Sequence, residues 1–360
     1  MAQRHLDPMA APVTGDALAG YLRAQATEFL RALRQHRETG TGPHDSLDAA
    51  RALRRSARRI SGSLHTFRAL LDTDWSEGMR PELAWLSGTL ALEHAYASRL
   101  ERLLNALHRL SGSAAFPGQA TVAETVRGSR TAGAARAGAA APGNAGTPAP
   151  AERGNLTVGA AKAGALLDRQ LTLARTRAHS TALQALGSSR FHAVADKVAV
   201  LASEVPLDTT ATTTDLRPLA AAAEERLRDA VTALPLVTAG SPYNAEALVH
   251  GLSPDPAPHP QDAPWHQVRL LLRLHRYARE VVEGDDAPVD VRLLTAGQSL
   301  NRHRDASEAA AAAAAAARTP RIAPATAYAL GVLHADQRHE VEAARFAFQQ
   351  SWQMQTVGTP

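Results

Sequence analysis

Hydrophobic side chains recur every three or four residues along most of this sequence, which is the spacing of helices that bury one face. The pattern predicts helices over residues 15–37, 46–71, 79–110, 158–186, 189–204, 214–233, 264–283, 288–318 and 322–354. Aromatic residues make up only 4% of the chain while alanine, leucine and arginine are plentiful, a mixture that favours helices over strands. We therefore predict an all-α protein.

The helix predicted at 264–283 carries a basic stripe within the segment HQVRLLLRLHRYARE. At about 100° per residue, a single arc of the helix surface holds His266, Arg269, Arg273, Arg276 and Tyr277. Leucines border this arc on both sides. The stripe therefore belongs to a helix that we expect to pack against other helices.

A second basic helix is predicted from the segment RALRRSARRISGSLHTF, residues 51–67. Its basic face carries Arg51, Arg54, Arg55, Arg58 and His65, with Arg59 at the margin. The opposite face is apolar, so we expect this helix to bury one side and present arginines on the other. Arg54 and Arg58 superimpose on Arg269 and Arg273, which predicts two halves of similar construction.

Two breaks interrupt the helical pattern. Residues 111–155 are rich in Gly, Ala, Pro and Ser, which predicts a flexible insertion. Residues 238–264 hold several prolines and leave room for one short helical turn. We predict a first helical half over 16–187, a second over 188–354, and flexible termini at 1–15 and 355–360.

Arginine supplies nearly all of the positive charge, since lysine occurs only at Lys162 and Lys197. The net charge is +4 and the pI is 9.8. The absence of cysteine excludes disulfides, thiolate metal sites and a cysteine nucleophile. The first fifteen residues lack the apolar core of a signal peptide, and no run approaches the roughly 20 apolar residues that span a bilayer. We expect a cytoplasmic protein with no membrane partner.

The basic faces raise the question of what offsets their internal repulsion. Like charges one helical turn apart are unfavourable by a few tenths of a kcal/mol per pair. Three offsets are open: carboxylates such as Glu280, Asp305 and Glu308, the solvent, or a bound polyanion. Arginine forks bind phosphate oxygens in pairs, and residues one turn apart form a line with a spacing of about 5.4 Å. Such a line suits a linear anion with repeating phosphates.

The second half resembles the CHAD domain, the conserved histidine α-helical domain. The basic stripe of residues 266–277 matches the family pattern His-x-x-Arg-x-x-x-(Lys/Arg), with further basic residues and a terminal Arg-Tyr. The segment LNRHRD, residues 300–305, is similar to the family's Leu-Gly-x-His-x-Asp. His303 and Asp305 match there, while Asn301 replaces the glycine.

The first half departs further from the family pattern. Arg51 replaces the histidine and Ser61 replaces an arginine, although Arg54, Arg58 and Arg59 stay in register. In the segment LALEHAYASRL, His94 and Ala95 stand where the family has Arg and Asp. The start of the second repeat is matched again by residues beginning at Ser188, so the resemblance extends over most of the chain outside the insertion.

The resemblance implies two pseudo-symmetric helical bundles that face each other across a basic groove and bind inorganic polyphosphate. It implies no catalysis by the domain itself and no cofactor. Polyphosphate granules are the location to be expected, with polyphosphate-metabolising enzymes as further partners. The residues expected to line the groove are Arg51, Arg54, Arg55, Arg58, Arg59, Arg190, Lys197, His266, Arg269, Arg273, Arg276, Tyr277, His303 and Arg304.

The sequence also bears on alternatives to polyphosphate binding, namely catalysis, metal binding and nucleic-acid binding. The chain holds no phosphate-binding loop, dinucleotide fingerprint, nucleophile elbow or His-Glu-x-x-His motif. His303 and Asp305 have the wrong spacing for one helix face, as do His334 and His339, so we predict no metal site. Nucleic acid or another polyanion stays open, because arginines bind any phosphate backbone, although interleaved aromatics for base stacking are absent. A degenerate scaffold that binds little is the remaining alternative.

Overall fold

The protein is built almost entirely from helices. The computed structural model describes residues 12–38, 43–112, 150–241, 251–252, 259–284 and 289–353. Within these ranges the α-helices are α1 (Gly15–Glu38), α2 (Pro43–Thr66), α3 (Thr73–Ser111), α4 (Pro150–Leu186), α5 (Ser189–Ser203), α6 (Arg217–Thr232), α7 (Leu236–Ala239), α8 (Ala263–Glu283), α9 (Val291–Ala317) and α10 (Pro324–Gln353). Extended pairing in the same ranges is limited to one antiparallel bridge between Leu71 and Leu207. The all-α prediction is confirmed.

Several helix boundaries differ from those predicted. The helix predicted over 46–71 ends at Thr66, and a short 3₁₀ turn follows at Arg68–Leu70. Helix α3 begins at Thr73, earlier than predicted, because the Asp72 carboxylate accepts a hydrogen bond from the Trp75 amide at 2.8 Å and caps the helix. Helix α4 already begins at Pro150. The rest of the predicted insertion, from 113 to 149, lies outside the described residues.

Three hydrophobic clusters hold the helices together. The first joins α1, α2 and the first half of α3 to α5, with contributions from α8. The second joins the end of α3 and α4 to α9 and α10, and the third surrounds Trp265 and Phe348 between α6, α7, α8, α9 and α10. The first cluster takes residues from both sides of the boundary predicted at 187/188, so that division stays a prediction. No helix in the described ranges is long and apolar enough to cross a membrane.

The two basic helices, α2 and α8, pack directly against each other. Gly62 makes their close approach possible, since a Cβ atom at this position would lie 2.6 Å from Cδ2 of Tyr277. Leu64 of α2 and Phe67, directly after its end, are fully buried in the first cluster, as is Ala278 of α8. Burial of these apolar faces turns the arginines of both helices toward the same side of the molecule.

Candidate functional site

Two neighbouring cavities lie where α2 and α3 meet α8 and α9. The α9-side cavity, of about 200 Å³, is lined by residues of α2, α3 and α9. The α8-side cavity, of about 430 Å³, is lined by residues of α2, α3 and α8. Arg58 lines both cavities, and the two neighbouring cavities are together called the basic groove below.

Helix α3 supplies one wall of the basic groove along its length. At intervals of three or four residues it places Ala84, Gly88, Ala91, Ala95 and Ser98 on the groove side. Because these side chains are short, they leave open the space between the longer arginines of the facing helices. Cavity volumes of about 200 and 430 Å³ therefore lie beside the guanidinium groups.

Four arginines from α2 and α8 converge on the groove without meeting a carboxylate. The side chains of Arg54 and Arg273 form no hydrogen bond or ion pair with any of the described residues. The Nε of Arg58 donates to the Ser87 hydroxyl at 3.0 Å. Arg269 makes only a 3.5 Å contact with the Asn301 amide oxygen, and its own Nε is buried with no partner. None of these four guanidinium groups forms a salt bridge in the described part of the chain, although the charges of Glu308 and Asp305 reach Arg269 and act to raise its pKa.

Burial and neighbouring positive charges lower the pKa values of two of these arginines. Burial, followed by the charges of Arg54 and Arg273, lowers the pKa of Arg58 to about 10. Burial, followed by the charges of Arg304 and Arg273, lowers the pKa of Arg269 to about 10. Both groups stay protonated at neutral pH, yet each would be stabilised by a nearby anion. The arrangement therefore favours a ligand with several negative charges.

Arg59 faces a different environment from its neighbour Arg58. Its Nε donates to the Glu280 carboxylate at 2.8 Å, and the Tyr21 hydroxyl donates to the same carboxylate at 2.8 Å. The Arg59 guanidinium also lies 5.5 Å from the ring centre of Tyr277. These contacts tie α1, α2 and α8 together, so Arg59 is engaged within the protein beside the groove.

Arg51, Arg55 and Arg276 lie outside the two cavities, whereas Arg304 lines one of them. Arg51 donates to Asp48 at 2.8 Å, and Arg55 is exposed. Neither Arg55 nor Arg276 lines either cavity. Arg304 does line the α9-side cavity, where it donates to the Asp305 carboxylate.

His266 and His303 lie behind the arginines, toward the third hydrophobic cluster. His303 is only 1% exposed and stacks on Trp265 with ring centres 5.6 Å apart. Burial, followed by the charge of Arg345, holds the pKa of His303 well below its usual range. His266 meets His303 edge to face at 5.4 Å, and burial lowers the pKa of His266 as well. Neither ring lines the cavities.

The structure does not bring Arg190 and Lys197 to the groove. Both lie on α5 with exposed side chains. The Nε of Arg190 donates to Glu82 at 2.6 Å, and its guanidinium lies 4.1 Å from the ring of Trp85.

Sequence reasoning missed the contribution of α3 and a buried ion cluster behind the groove. His94, Arg99 and Arg102 of α3 line the α9-side cavity. Behind His303, the buried Asp262 accepts hydrogen bonds from Arg338 at 2.8 Å and Arg345 at 2.7 Å.

Burial alone would raise the pKa of Asp262, but Arg338, His303 and the hydrogen bond from Ser307 bring it down to about 2. Arg338 and Arg345 stand seven residues apart on α10, the same spacing as a two-turn step of the basic stripe. This seven-residue spacing is the feature of the sequence from which the buried cluster could have been predicted.

The comparisons with known proteins agree with this architecture. The family profile of the CHAD domain matches residues 24–311. The chain is 70% identical to PptA from Streptomyces chartreusis over 95% of its own length and 100% of that chain, with a TM-score of 0.75. No curated protein matches the chain. The chain belongs to the CHAD domain family.

Proposed function

We propose that the basic groove binds inorganic polyphosphate and does not change it chemically. The observation that carries the proposal is the convergence of Arg54, Arg58, Arg269 and Arg273 without a carboxylate partner in the described part of the chain. Phosphate oxygens accept paired hydrogen bonds from guanidinium groups, and a chain of phosphates supplies charge to several of them at once. Membership of the CHAD family supports the same ligand.

The lining of the groove favours polyphosphate over nucleic acid. Single-stranded nucleic acids are bound by exposed aromatic rings on which the bases stack. Tyr277 is the only Phe, Tyr or Trp among the residues that line the two cavities, and it is only 8% exposed. A polymer of bare phosphates needs no such platform.

On this proposal the chain is a binding module that collects on polyphosphate granules. Its ligand is then held by charge and hydrogen bonds, and polyphosphate-metabolising enzymes supply any chemistry. The residues with the strongest claim to contact phosphate are Arg54, Arg58, Arg269, Arg273 and Arg304, since they line the cavities.

Fluorescence anisotropy with labelled long-chain polyphosphate tests the proposal. Unlabelled duplex DNA, single-stranded RNA and triphosphate compete at near-physiological salt. The double variant Arg269→Glu/Arg273→Glu should lose at least about 100-fold in affinity, because each charged hydrogen-bonding group contributes about 1.5–3 kcal/mol. The matched control is Arg23→Glu/Arg34→Glu, which makes the same change of net charge at exposed positions of α1.

Tight binding of polyphosphate with weak competition by nucleic acids is the expected result. Equal losses in the groove variant and the α1 variant would show that net charge, and not the groove, binds the anion. If all polyanions compete alike, the site is a general basic surface. If wild-type protein binds none of them, the polyphosphate proposal is wrong.

A further inference from the structure

Acidic residues are distributed unevenly along the basic groove. Asp305 and Glu308 of α9 both line the α9-side cavity. No Asp or Glu is among the residues that line the α8-side cavity. An anion that fills the whole groove therefore contacts two carboxylates at one end, whereas an anion in the α8-side cavity has no carboxylate in its lining and senses Asp305 and Glu308 only from a distance, as Arg269 does.

These two carboxylates already engage cations of the α9-side cavity. Glu308 accepts a hydrogen bond from Arg99 of α3 at 2.5 Å and lies 3.9 Å from the Nε of Arg304. Asp305 accepts from the Nε of Arg304 at 2.9 Å. Arg99 and Arg304 thus have carboxylate partners within the protein. Arg54, Arg58, Arg269 and Arg273 have none in the described part of the chain.

The side chains of Asp305 and Glu308 are 47% and 41% exposed. Ion pairs with this exposure are weak, so a phosphate can take the place of either carboxylate on its arginine. The displaced carboxylate stays attached to α9 beside the same cavity. Its negative charge then continues to oppose the phosphate that replaced it.

We propose that Asp305 and Glu308 are specificity-determining residues that act as built-in competitors for Arg99 and Arg304. The inference rests on the proposed function of the groove. Short phosphate anions bind among the unpaired arginines of the α8-side cavity and avoid the competition. Long chains extend past Arg58 into the α9-side cavity, where they must displace Asp305 and Glu308 from their arginines. Only a polymer of high charge density displaces both carboxylates effectively.

The double variant Asp305→Asn/Glu308→Gln tests this inference, with each single variant measured beside it. Affinities for long-chain polyphosphate and for triphosphate are determined by fluorescence anisotropy and competition. We expect the double variant to bind long chains roughly tenfold more tightly, because like charges facing each other in a binding site oppose association. Its affinity for triphosphate should stay within about twofold of the wild type.

Glu28→Gln/Glu225→Gln is the matched control, since it removes two exposed acids on α1 and α6. Duplex DNA should also compete better with polyphosphate for the double groove variant, because the variant lacks the two carboxylates that oppose polymers of lower charge density. Circular dichroism confirms that each variant is folded. Substitutions at exposed side chains such as these usually change the free energy of unfolding by less than about 0.5 kcal/mol, so both variants should stay folded.

The results separate this inference from the proposed function. An unchanged or weaker affinity for long chains overturns the competitor role, and so does an equal gain for triphosphate or in the control variant. If neither wild type nor variant binds any phosphate anion, both proposals are overturned together. If the wild type binds long chains and only the double groove variant binds them more tightly, both are supported.

Discussion

A guanidinium group that leaves water without meeting a carboxylate raises the free energy of the folded protein. Arg58 is the clearest case, because it lines both cavities and has a single neutral partner, the Ser87 hydroxyl. The lowered pKa of Arg58, about 10, reflects that cost. The charge of Arg58 therefore destabilises the ligand-free protein and would stabilise a bound anion.

Replacing Arg58 by methionine should separate these two effects. The variant keeps most of the apolar stem but loses the charge. We expect the free energy of unfolding of the ligand-free protein to rise by about 0.5–1 kcal/mol as repulsion is relieved. Affinity for polyphosphate should fall at least about tenfold. Urea unfolding and anisotropy measure the two quantities.

Arg302→Met is the control for this substitution, since Arg302 is exposed on α9 and lines neither cavity. Both quantities should stay near wild-type values. A fall in stability of Arg58→Met would contradict the view that its charge is uncompensated in the free protein.

At this scale the sequence predicted which residue types carry the site but not which of them are already paired. Arg58 and Arg59 are neighbours on one basic face, and periodicity alone treats them alike. Arg59 is engaged because Glu280 and Tyr21, both far away in sequence, meet it in the fold. Such partners depend on tertiary packing, which the spacing of residues along one helix does not contain.

Among the helices, α2 and α8 hold the site in place through their contact at Gly62. The absence of a side chain there lets Tyr277 lie against the backbone of α2. Any increase in the separation of these helices also separates Arg58 from Arg269 and Arg273. The geometry of the groove thus depends on one small residue in the helix contact.

Gly62→Ala should destabilise the protein and weaken polyphosphate binding. The added methyl group would lie 2.6 Å from the Tyr277 ring, and such overpacking costs about 1–3 kcal/mol. Thermal unfolding and anisotropy report the two changes. Gly78→Ala in α3 is the control, because its Cβ meets nothing within 4 Å and should stabilise the helix by about 0.5–1 kcal/mol. Equal behaviour of the two variants would exclude a role for close packing at Gly62.

The basic helices were predictable because each repeats one chemical type at helical spacing. Helix α3 was predicted as a helix, but its place in the site was not. It contributes mainly short side chains such as Ala91 and Ala95, and short side chains are equally common at ordinary helix contacts. Only the assembled fold distinguishes a wall that faces a cavity from one that faces another helix.

For the molecule as a whole, the hydrophobic clusters do not follow the two halves predicted from the repeat. Val198 and Leu201 of α5 share a cluster with Leu22 and Phe29 of α1. An apolar helix face predicts that burial occurs but does not name the partner. The boundary between halves was for that reason beyond what the hydrophobic pattern could decide.

The stability of the whole protein should depend on the pH through its buried histidines. His303 faces Asp262, Arg345, Arg338 and His266, and burial holds its pKa well below the usual value of about 6.5. The unfolded chain therefore binds a proton near pH 6.5 that the folded chain does not. The free energy of unfolding then falls as the pH decreases, because the unfolded state holds more protons.

Between pH 7.5 and pH 5.5 we expect a loss of about 1 kcal/mol from His303 alone, with further losses from His94 and His266, whose pKa values burial also lowers. Urea unfolding at the two pH values measures this loss. His192→Gln, which removes an exposed histidine of α5, should show the same pH dependence as the wild type. A stability that stays constant or rises toward pH 5.5 would contradict the prediction.

The first hydrophobic cluster joins buried side chains of α2 to Ala278 and Val281 of α8, so the two basic helices of the groove are anchored in one packed interior. Because a packed interior resists deformation, the walls cannot move apart to relieve the repulsion between their arginines. Small anions from the solvent would balance that charge when no polymer is bound. On the proposed function, binding of a phosphate polymer is an ion exchange, in which one long ligand releases many small ions and their release raises the entropy.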